Sequence, residues 1–137
     1  SSCVIDQVAL FVRAGTIQDR SAALGSGMSE VALITVSRAA EQGNALAQTL
    51  LGEIYRYGRG VPQDYQQAAS WYRKAAEQGS AEAQFNLGNM YRYGRGVPSD
   101  CQEAVSWYRK AGEQGYAEAQ FSLGIMYATG AGIAGAS

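Results

Sequence analysis

Apolar residues in the second half of the chain recur at a helical spacing and are then interrupted by glycines. Ala83, Leu87 and Tyr91 lie at i, i+4 and i+8, which places them on one face of a helix. Residues 94–98, GRGVP, come next and favour a turn, because the proline prevents the first helix from continuing. A second apolar helical pattern begins after Asp100. Together these patterns predict a helical hairpin.

Polar residues mark the starts of the predicted helices. Asn44 and Ser80 precede first helices of a hairpin and are predicted N-caps. Asp100 and Glu103 have the spacing of a capping box, and Asp64 occupies the same place one period earlier. We therefore interpret these acidic residues as helix caps.

The hairpin belongs to a tandem repeat. Residues 39–74 and 75–110 form two blocks of 36 residues that are identical at 26 positions, and a third copy begins at residue 111. A fixed period of this length predicts stacked supersecondary units. We expect an all-α fold, an α-solenoid of helical hairpins, with a right-handed superhelix by analogy with other helical repeats.

The repeat alignment predicts helix positions along most of the chain. Residues 30–43 align with the second helix of a unit, with Thr35 in the place of Trp71, and are predicted to form a degenerate capping helix. Residues 4–24 are predicted to hold a degenerate first helix, followed by a turn at 25–27. The full set of predicted divisions is an N-terminal region 1–27, a solenoid 28–132 and a tail 133–137, with helices at 44–57, 64–78, 81–93 and 100–114 and a sixth helix from about 117.

Two residue types indicate how the units pack. Trp71 and Trp107 share one repeat position and are predicted to be largely buried between units. Gly88 is predicted to allow close approach of two helices. Two helices can pack closely when a large side chain of one lies against a small residue of the other.

Composition excludes several classes of protein. The chain has 137 residues and a formal net charge of −1, and it lacks the overall basic footprint of a nucleic-acid binder. Its longest apolar run, residues 8–12, is far too short to span a bilayer. Its two cysteines, Cys3 and Cys101, share no repeated spacing, so free thiols are predicted. A cytoplasmic and an exported location both stay open.

The sequence offers no constellation for catalysis. It contains no histidine, the commonest general base and metal ligand. Glu41, Glu77 and Glu113 recur at one repeat position and are interpreted as solvated charges at helix ends. Residues 130–135 match the string GxGxxG, but a predicted helix precedes them where a dinucleotide site needs a strand. We expect no catalytic residue, no cofactor and no metal site.

The repeat signature resembles that of the Sel1-like family, a relative of the tetratricopeptide repeats. The matching residues run from Ala83-Gln84 to Tyr91, then through Gly94, Gly96, Pro98 and Asp100, and on through Ala104, Trp107, Tyr108 and Gly115. The resemblance implies a non-catalytic scaffold that holds protein partners together. A cysteine-rich branch of the family carries one disulfide in each repeat, and this chain lacks those cysteines.

Two sets of residues are candidates for partner binding. The first is a predicted concave groove on the first helices, where residues change between repeats while the framework stays constant: Glu53, Tyr57, Asn86, Asn89, Met90, Tyr93 and Ile125. Surface drift explains the same variation equally well. The second set is a ladder of arginines, for which pairing with nearby glutamates or helix C-termini is the alternative to ligand binding: Arg56, Arg59, Arg92 and Arg95.

Two functions follow as hypotheses. The first is binding of a protein or peptide partner in the concave groove. The alternative is self-association, as a homodimer, through the terminal helix around residues 117–128, where Phe121 and Met126 have no following partner helix in the chain.

Overall fold

The computed structural model describes residues 29–130, and the described residues form six α-helices and no strand. The predicted all-α solenoid class is confirmed. The helices are α1 Glu30–Glu41, α2 Ala45–Tyr57, α3 Tyr65–Glu77, α4 Ala81–Tyr93, α5 Cys101–Glu113 and α6 Ala117–Thr129.

The helix starts are capped by side chains where the sequence predicted caps. Asn44 Oδ1 accepts from the Ala47 amide at 2.9 Å, and Ser80 Oγ accepts from the amide three residues on at 3.2 Å. Asp100 Oδ1 accepts from two amides of the first turn of α5, each at 3.1 Å. Asp64 Oδ1 accepts one, from Gln67, also at 3.1 Å. Each bond satisfies an amide that has no partner within its own helix.

The six helices pack in chain order. α2 with α3 and α4 with α5 form the closest pairs, and each is a hairpin of one repeat unit. α3 against α4 and α5 against α6 join successive units, and α1 packs on α2. α1 confirms the helix predicted at residues 30–43, while residues 4–24, 25–27 and 133–137 lie outside the described part of the chain.

In each hairpin a tyrosine ring of the second helix packs against a glycine of the first helix. Tyr72 of α3 lies on Gly52 of α2, and Tyr108 of α5 lies on Gly88 of α4. A Cβ placed on Gly52 would lie 2.6 Å from Tyr72 Cδ1, and one on Gly88 would lie 2.8 Å from Tyr108 Cδ1. Both tyrosines are fully buried. The predicted close approach at Gly88 is therefore present, and it recurs in the preceding unit.

A glutamine bond repeats in the same hairpins. Gln78 Nε2 donates to Gln48 Oε1 at 2.8 Å and to the Gly43 carbonyl at 2.9 Å. One period later Gln114 Nε2 donates to Gln84 Oε1 and to the Gly79 carbonyl, both at 2.9 Å. These bonds tie the C-terminal end of each second helix to the start of its first helix.

The two tryptophans differ in burial. Trp107 is 8% exposed and packs in the central core cluster, as predicted. Trp71 is only partly buried, beside the smaller cluster formed by α1 and α2. Trp71 was predicted to be largely buried as well, and it is less completely buried than Trp107.

Cys101 also departs from the prediction. It is disulfide-bonded, so the prediction of a free thiol is wrong for this residue. Cys3 lies outside the described residues. The absence of a repeated spacing, on which the prediction rested, does not exclude a disulfide, because a fold can bring together residues that are distant in sequence.

Candidate partner-binding face

The first helices of the three units, α2, α4 and α6, lie side by side and form a common face, which we call the first-helix face. Thr49 Oγ1 of α2 lies 3.4 Å from Ser80 Oγ at the start of α4. The rings of Phe85 in α4 and Tyr116 at the start of α6 have centroids 5.3 Å apart. The residues predicted to line the groove lie on these three helices.

One row of candidate residues is accessible in all three units. Glu53, Asn89 and Ile125 occupy equivalent repeat positions, and each is partly exposed. The row offers a carboxylate, an amide and an apolar side chain in succession. Its members differ in chemistry while sharing one place in the fold.

The neighbouring row belongs to the core. Ile54, Met90 and Met126 are each at most 1% exposed. Met90, predicted to contact a partner, is instead packed in the central cluster, so it leaves the candidate set. Its helical position one residue after Asn89 turns it toward the second helices.

Three further candidates differ in how accessible their side chains are. Asn86 and Tyr93 are each 9% exposed, so little of either side chain is available to a partner. Tyr57 is more accessible. Asn89 Oδ1 accepts a hydrogen bond from the Tyr108 hydroxyl, which fixes the amide and leaves its NH2 group as the donor for a ligand.

The arginine ladder is mostly internal. Arg56, Arg92 and Arg95 are all less than 10% exposed. The guanidinium carbon of Arg56 lies 5.1 Å from the centre of the Tyr57 ring, and that of Arg92 lies 5.2 Å from the Tyr93 ring. Arginines stacked in this way stabilise the fold through cation–π contacts.

The outer member of each arginine pair also contacts a tyrosine. Arg95 Nη1 donates to the Tyr65 hydroxyl at 2.8 Å, and its guanidinium stacks on the same ring at 5.1 Å. Arg59 stacks on Tyr57 at 5.5 Å and is partly exposed. Of the four predicted arginines, Arg59 is therefore the most accessible to a ligand.

An acidic pair bridges α2 and α4 on the first-helix face. Burial, a hydrogen bond to Glu82 and repulsion from its charge together raise the pKa of Glu53 from 4.5 to about 7, and the charges of Arg59 and Arg56 oppose the shift. The nearby carboxyl group of Glu82 thus favours the protonated form of Glu53.

Sequence analysis missed Glu82 and Phe85. Glu82 lies in the first turn of α4, where an acidic residue is expected for the helix dipole alone. Phe85 helps to line an open depression of about 310 Å³ together with Ala117, Glu118, Phe121 and Ser122. One sequence signal was available for Phe85. An aromatic residue occupies this repeat position in two units, as Phe85 and Phe121, whereas the first unit has a threonine at residue 49.

Among the described residues, no helix has both the length and the apolar character needed to cross a membrane.

This arrangement of stacked hairpins with one shared face defines a helical-repeat scaffold. A family model described as Sel1 repeat matches residues 45–80, 81–116 and 117–135. The match covers more than half of the chain, and the chain belongs to the Sel1 repeat family. Proteins of this family are generally non-catalytic scaffolds that mediate protein–protein interaction.

Comparison with curated proteins finds short matches. Protein sel-1 homolog 2 from Homo sapiens is 47% identical over 45 residues, which are 33% of this chain and 6% of that protein. The Rattus norvegicus protein of the same name is 44% identical over 45 residues, with the same coverage. The matched segment is a small fraction of either relative.

Three solved structures resemble the fold. A protective antigen from uropathogenic Escherichia coli, displaying an SLR fold, is 50% identical with a TM-score of 0.73, over 74% of this chain and 22% of that one. A Sel1 repeat protein from Oxalobacter formigenes is 45% identical with a TM-score of 0.68, over 69% and 28%. Helicobacter pylori cysteine rich protein B, 24% identical with a TM-score of 0.67 over 88% and 94%, shares the fold.

Proposed function

We propose that the chain is a non-catalytic interaction module whose first-helix face binds an extended segment of a partner protein. The observation that supports this most directly is the row formed by Glu53, Asn89 and Ile125. These residues occupy one structural position in three successive units, stay partly exposed in each, and differ in chemistry. A stack of units can present such a row to successive side chains of one bound peptide.

The electrostatics of the face indicate the chemistry of the ligand. Burial raises the pKa of Glu53, and so do a hydrogen bond to Glu82 and repulsion from its charge. A lysine or arginine side chain of a bound peptide would relieve this repulsion. The apolar side chain of Ile125 and the ring of Phe121 would receive an apolar residue at the other end. The ligand is therefore expected to be basic toward α2 and apolar toward α6.

A selection from a phage-displayed library of random peptides tests the proposal. Peptides that bind the parent chain should be measured against Glu53→Lys and Ile125→Asp, with Glu77→Lys as a matched control at the exposed C-terminal end of α3. We expect the two face variants to lose about tenfold or more in affinity. We expect the control to bind like the parent. Equal affinity for all three variants would contradict the proposal.

A further inference from the structure

The Tyr72 hydroxyl lacks an acceptor that its counterpart in the next unit has. Tyr72 and Tyr108 occupy the same repeat position, and both are fully buried. The Tyr108 hydroxyl donates a hydrogen bond to Asn89 Oδ1, whereas the Tyr72 hydroxyl has no hydrogen-bond partner among the described residues. A buried polar group without a partner is unfavourable. An acceptor that reached the Tyr72 hydroxyl would therefore stabilise the fold.

Glu53 occupies the position from which an acceptor would come. It stands one period before Asn89, and it directly follows Gly52, the glycine against which the Tyr72 ring packs. Burial raises the pKa of Tyr72, and of the neighbouring charges Arg56 opposes the rise while Glu53 adds to it. Glu53 therefore lies near the Tyr72 hydroxyl, at the place in the hairpin where Asn89 meets its own tyrosine.

Arg56 does not supply the missing acceptor. Its guanidinium is close enough to Tyr72 for each group to influence the pKa of the other. A guanidinium has only donors, so it can bond the tyrosine oxygen but leaves the O–H hydrogen without an acceptor. An ionised carboxyl group has only acceptors and is the group that this site lacks.

The Glu53 carboxyl group is engaged instead by the neighbouring unit. It makes a hydrogen bond with Glu82 of α4, which requires that one of the two carboxyl groups be protonated. Burial and Glu82 favour the protonated form of Glu53, and two arginines favour the ionised form. The titratable and charged groups that act on Glu53 come from its own helix and from the elements around it: Arg56 of α2, Arg59 in the turn after α2, Tyr72 of α3, Glu82 of α4 and Tyr116 before α6.

We propose that Glu53 is a proton-operated switch at the junction of the first two units. When Glu53 is protonated, its carboxyl group bonds Glu82 of the next unit. When it ionises, the proton leaves to solvent, the bond to Glu82 is lost, and the carboxylate accepts a hydrogen bond from the Tyr72 hydroxyl. The first state ties α2 to α4, and the second ties α2 to α3 in the way that Asn89 ties α4 to α5.

The switch also controls the charge that the first-helix face presents to a partner, and this consequence rests on the proposed function. Ionisation of Glu53 adds one negative charge between α2 and α4, where a basic side chain of the bound segment is expected. A bound cation favours the ionised carboxylate. Binding therefore releases a proton, and affinity rises as pH passes through about 7, where Glu53 ionises.

An NMR titration of the parent chain tests the switch without any partner. The carboxyl carbon of Glu53 and the hydroxyl-bearing ring carbon of Tyr72, Cζ, are followed from about pH 4 to about pH 9. We expect Tyr72 Cζ to shift with the same midpoint as Glu53, because the hydroxyl gains its acceptor when Glu53 ionises. Tyr108 Cζ is the internal control. Its acceptor is the amide of Asn89, which does not titrate, so it should not shift at this midpoint.

Variants separate a direct hydrogen bond from a distant effect. Tyr72→Phe removes the donor to the ionised form, so Glu53 should become about a tenfold weaker acid. Tyr108→Phe, the matched change in the next unit, should leave the acidity of Glu53 unchanged. Glu82→Gln should make Glu53 a stronger acid, because it removes a neighbouring charge. Glu53→Asn places the residue of the second unit in the first, so Tyr72 Cζ should no longer titrate.

Three results of these titrations would overturn the switch. They are a Tyr72 Cζ that does not shift at the Glu53 midpoint, a Tyr108 Cζ that shifts there equally, and a Tyr72→Phe variant in which the acidity of Glu53 is unchanged.

Control of binding is measured separately, with a lysine-containing peptide from the phage selection. Its affinity should be about tenfold higher at about pH 8 than at about pH 6, because only the ionised form is competent. Glu53→Asn should lose this dependence. Equal affinity of the parent chain at both pH values would overturn control of the face by Glu53. If no peptide binds at either pH, the proposed function is wrong, while a common midpoint of Tyr72 and Glu53 still supports the switch.

Discussion

The ring of Tyr108 packs directly against Gly88 at the contact between α5 and α4. A Cβ on Gly88 would lie 2.8 Å from both Cδ1 and Cε1 of the ring and 3.4 Å from the Ala104 carbonyl oxygen. The ring is fully buried. The backbone of Gly88 is helical and any residue could adopt it. A glycine is required here because the Tyr108 ring leaves no room for a side chain.

Gly88→Ala should therefore destabilise the chain although alanine is the better helix former. Overpacking typically costs about 1–3 kcal/mol, whereas alanine gains about 1 kcal/mol in helix propensity. We expect a net loss, measured by urea unfolding. Gly124→Ala is the matched control, because it has the same helical environment with open space above it, and it should unfold at equal or higher urea. A stabilised Gly88→Ala variant would contradict the described contact.

The two tryptophans should respond differently to truncation. Trp107→Ala removes a buried ring from the central core and should cost about 3–5 kcal/mol. Trp71→Ala removes a partly exposed ring and should cost clearly less. Thermal unfolding of the two variants side by side gives the difference. Equal losses would mean that both rings are equally buried.

The caps of the two second helices offer another matched pair. Asp100 accepts from two backbone amides, whereas Asp64 accepts from one. Loss of an N-cap costs about 1 kcal/mol. We therefore expect Asp100→Ala to lower the free energy of unfolding more than Asp64→Ala does. Chemical denaturation followed by far-UV circular dichroism would show this order, and the reverse order would refute it.

The raised pKa of Glu53 predicts a dependence of stability on pH. The pKa of Glu53 is raised to about 7 in the folded chain, above its ordinary value of 4.5. Between these values the folded state holds a proton that the unfolded state has released, so stability falls as pH rises through this window. Below pH 4.5 the contribution is fully present.

Glu53→Gln removes this titration while keeping a hydrogen-bonding side chain. Its melting temperature should exceed that of the parent above pH 7, and the difference should shrink as pH falls toward 4.5. Melting curves across this range provide the measurement. Glu77→Gln, which changes an exposed carboxylate on α3, is the control and should follow the parent at every pH. A constant difference between Glu53→Gln and the parent would contradict the raised pKa of Glu53.

The architecture could be predicted from the sequence because the same local signals recur in each repeat unit. Helical spacing around Leu87, the turn at Gly94 and the cap at Asp100 are local signals, and local backbone chemistry satisfies each of them. Their recurrence every 36 residues then fixed the order in which the helices pack. The family follows from the same motif.

The tertiary structure alone decided which side chains face a partner. Asn89 and Met90 are neighbours in sequence, yet one is accessible and the other lies in the core, because a helix turns adjacent residues toward different surroundings. Glu53 and Glu82 interact across two helices, and no pattern in the sequence links these two residues. Burial, charge coupling and the open space above Gly124 arise from distances between units, and such distances exist only once the units are stacked.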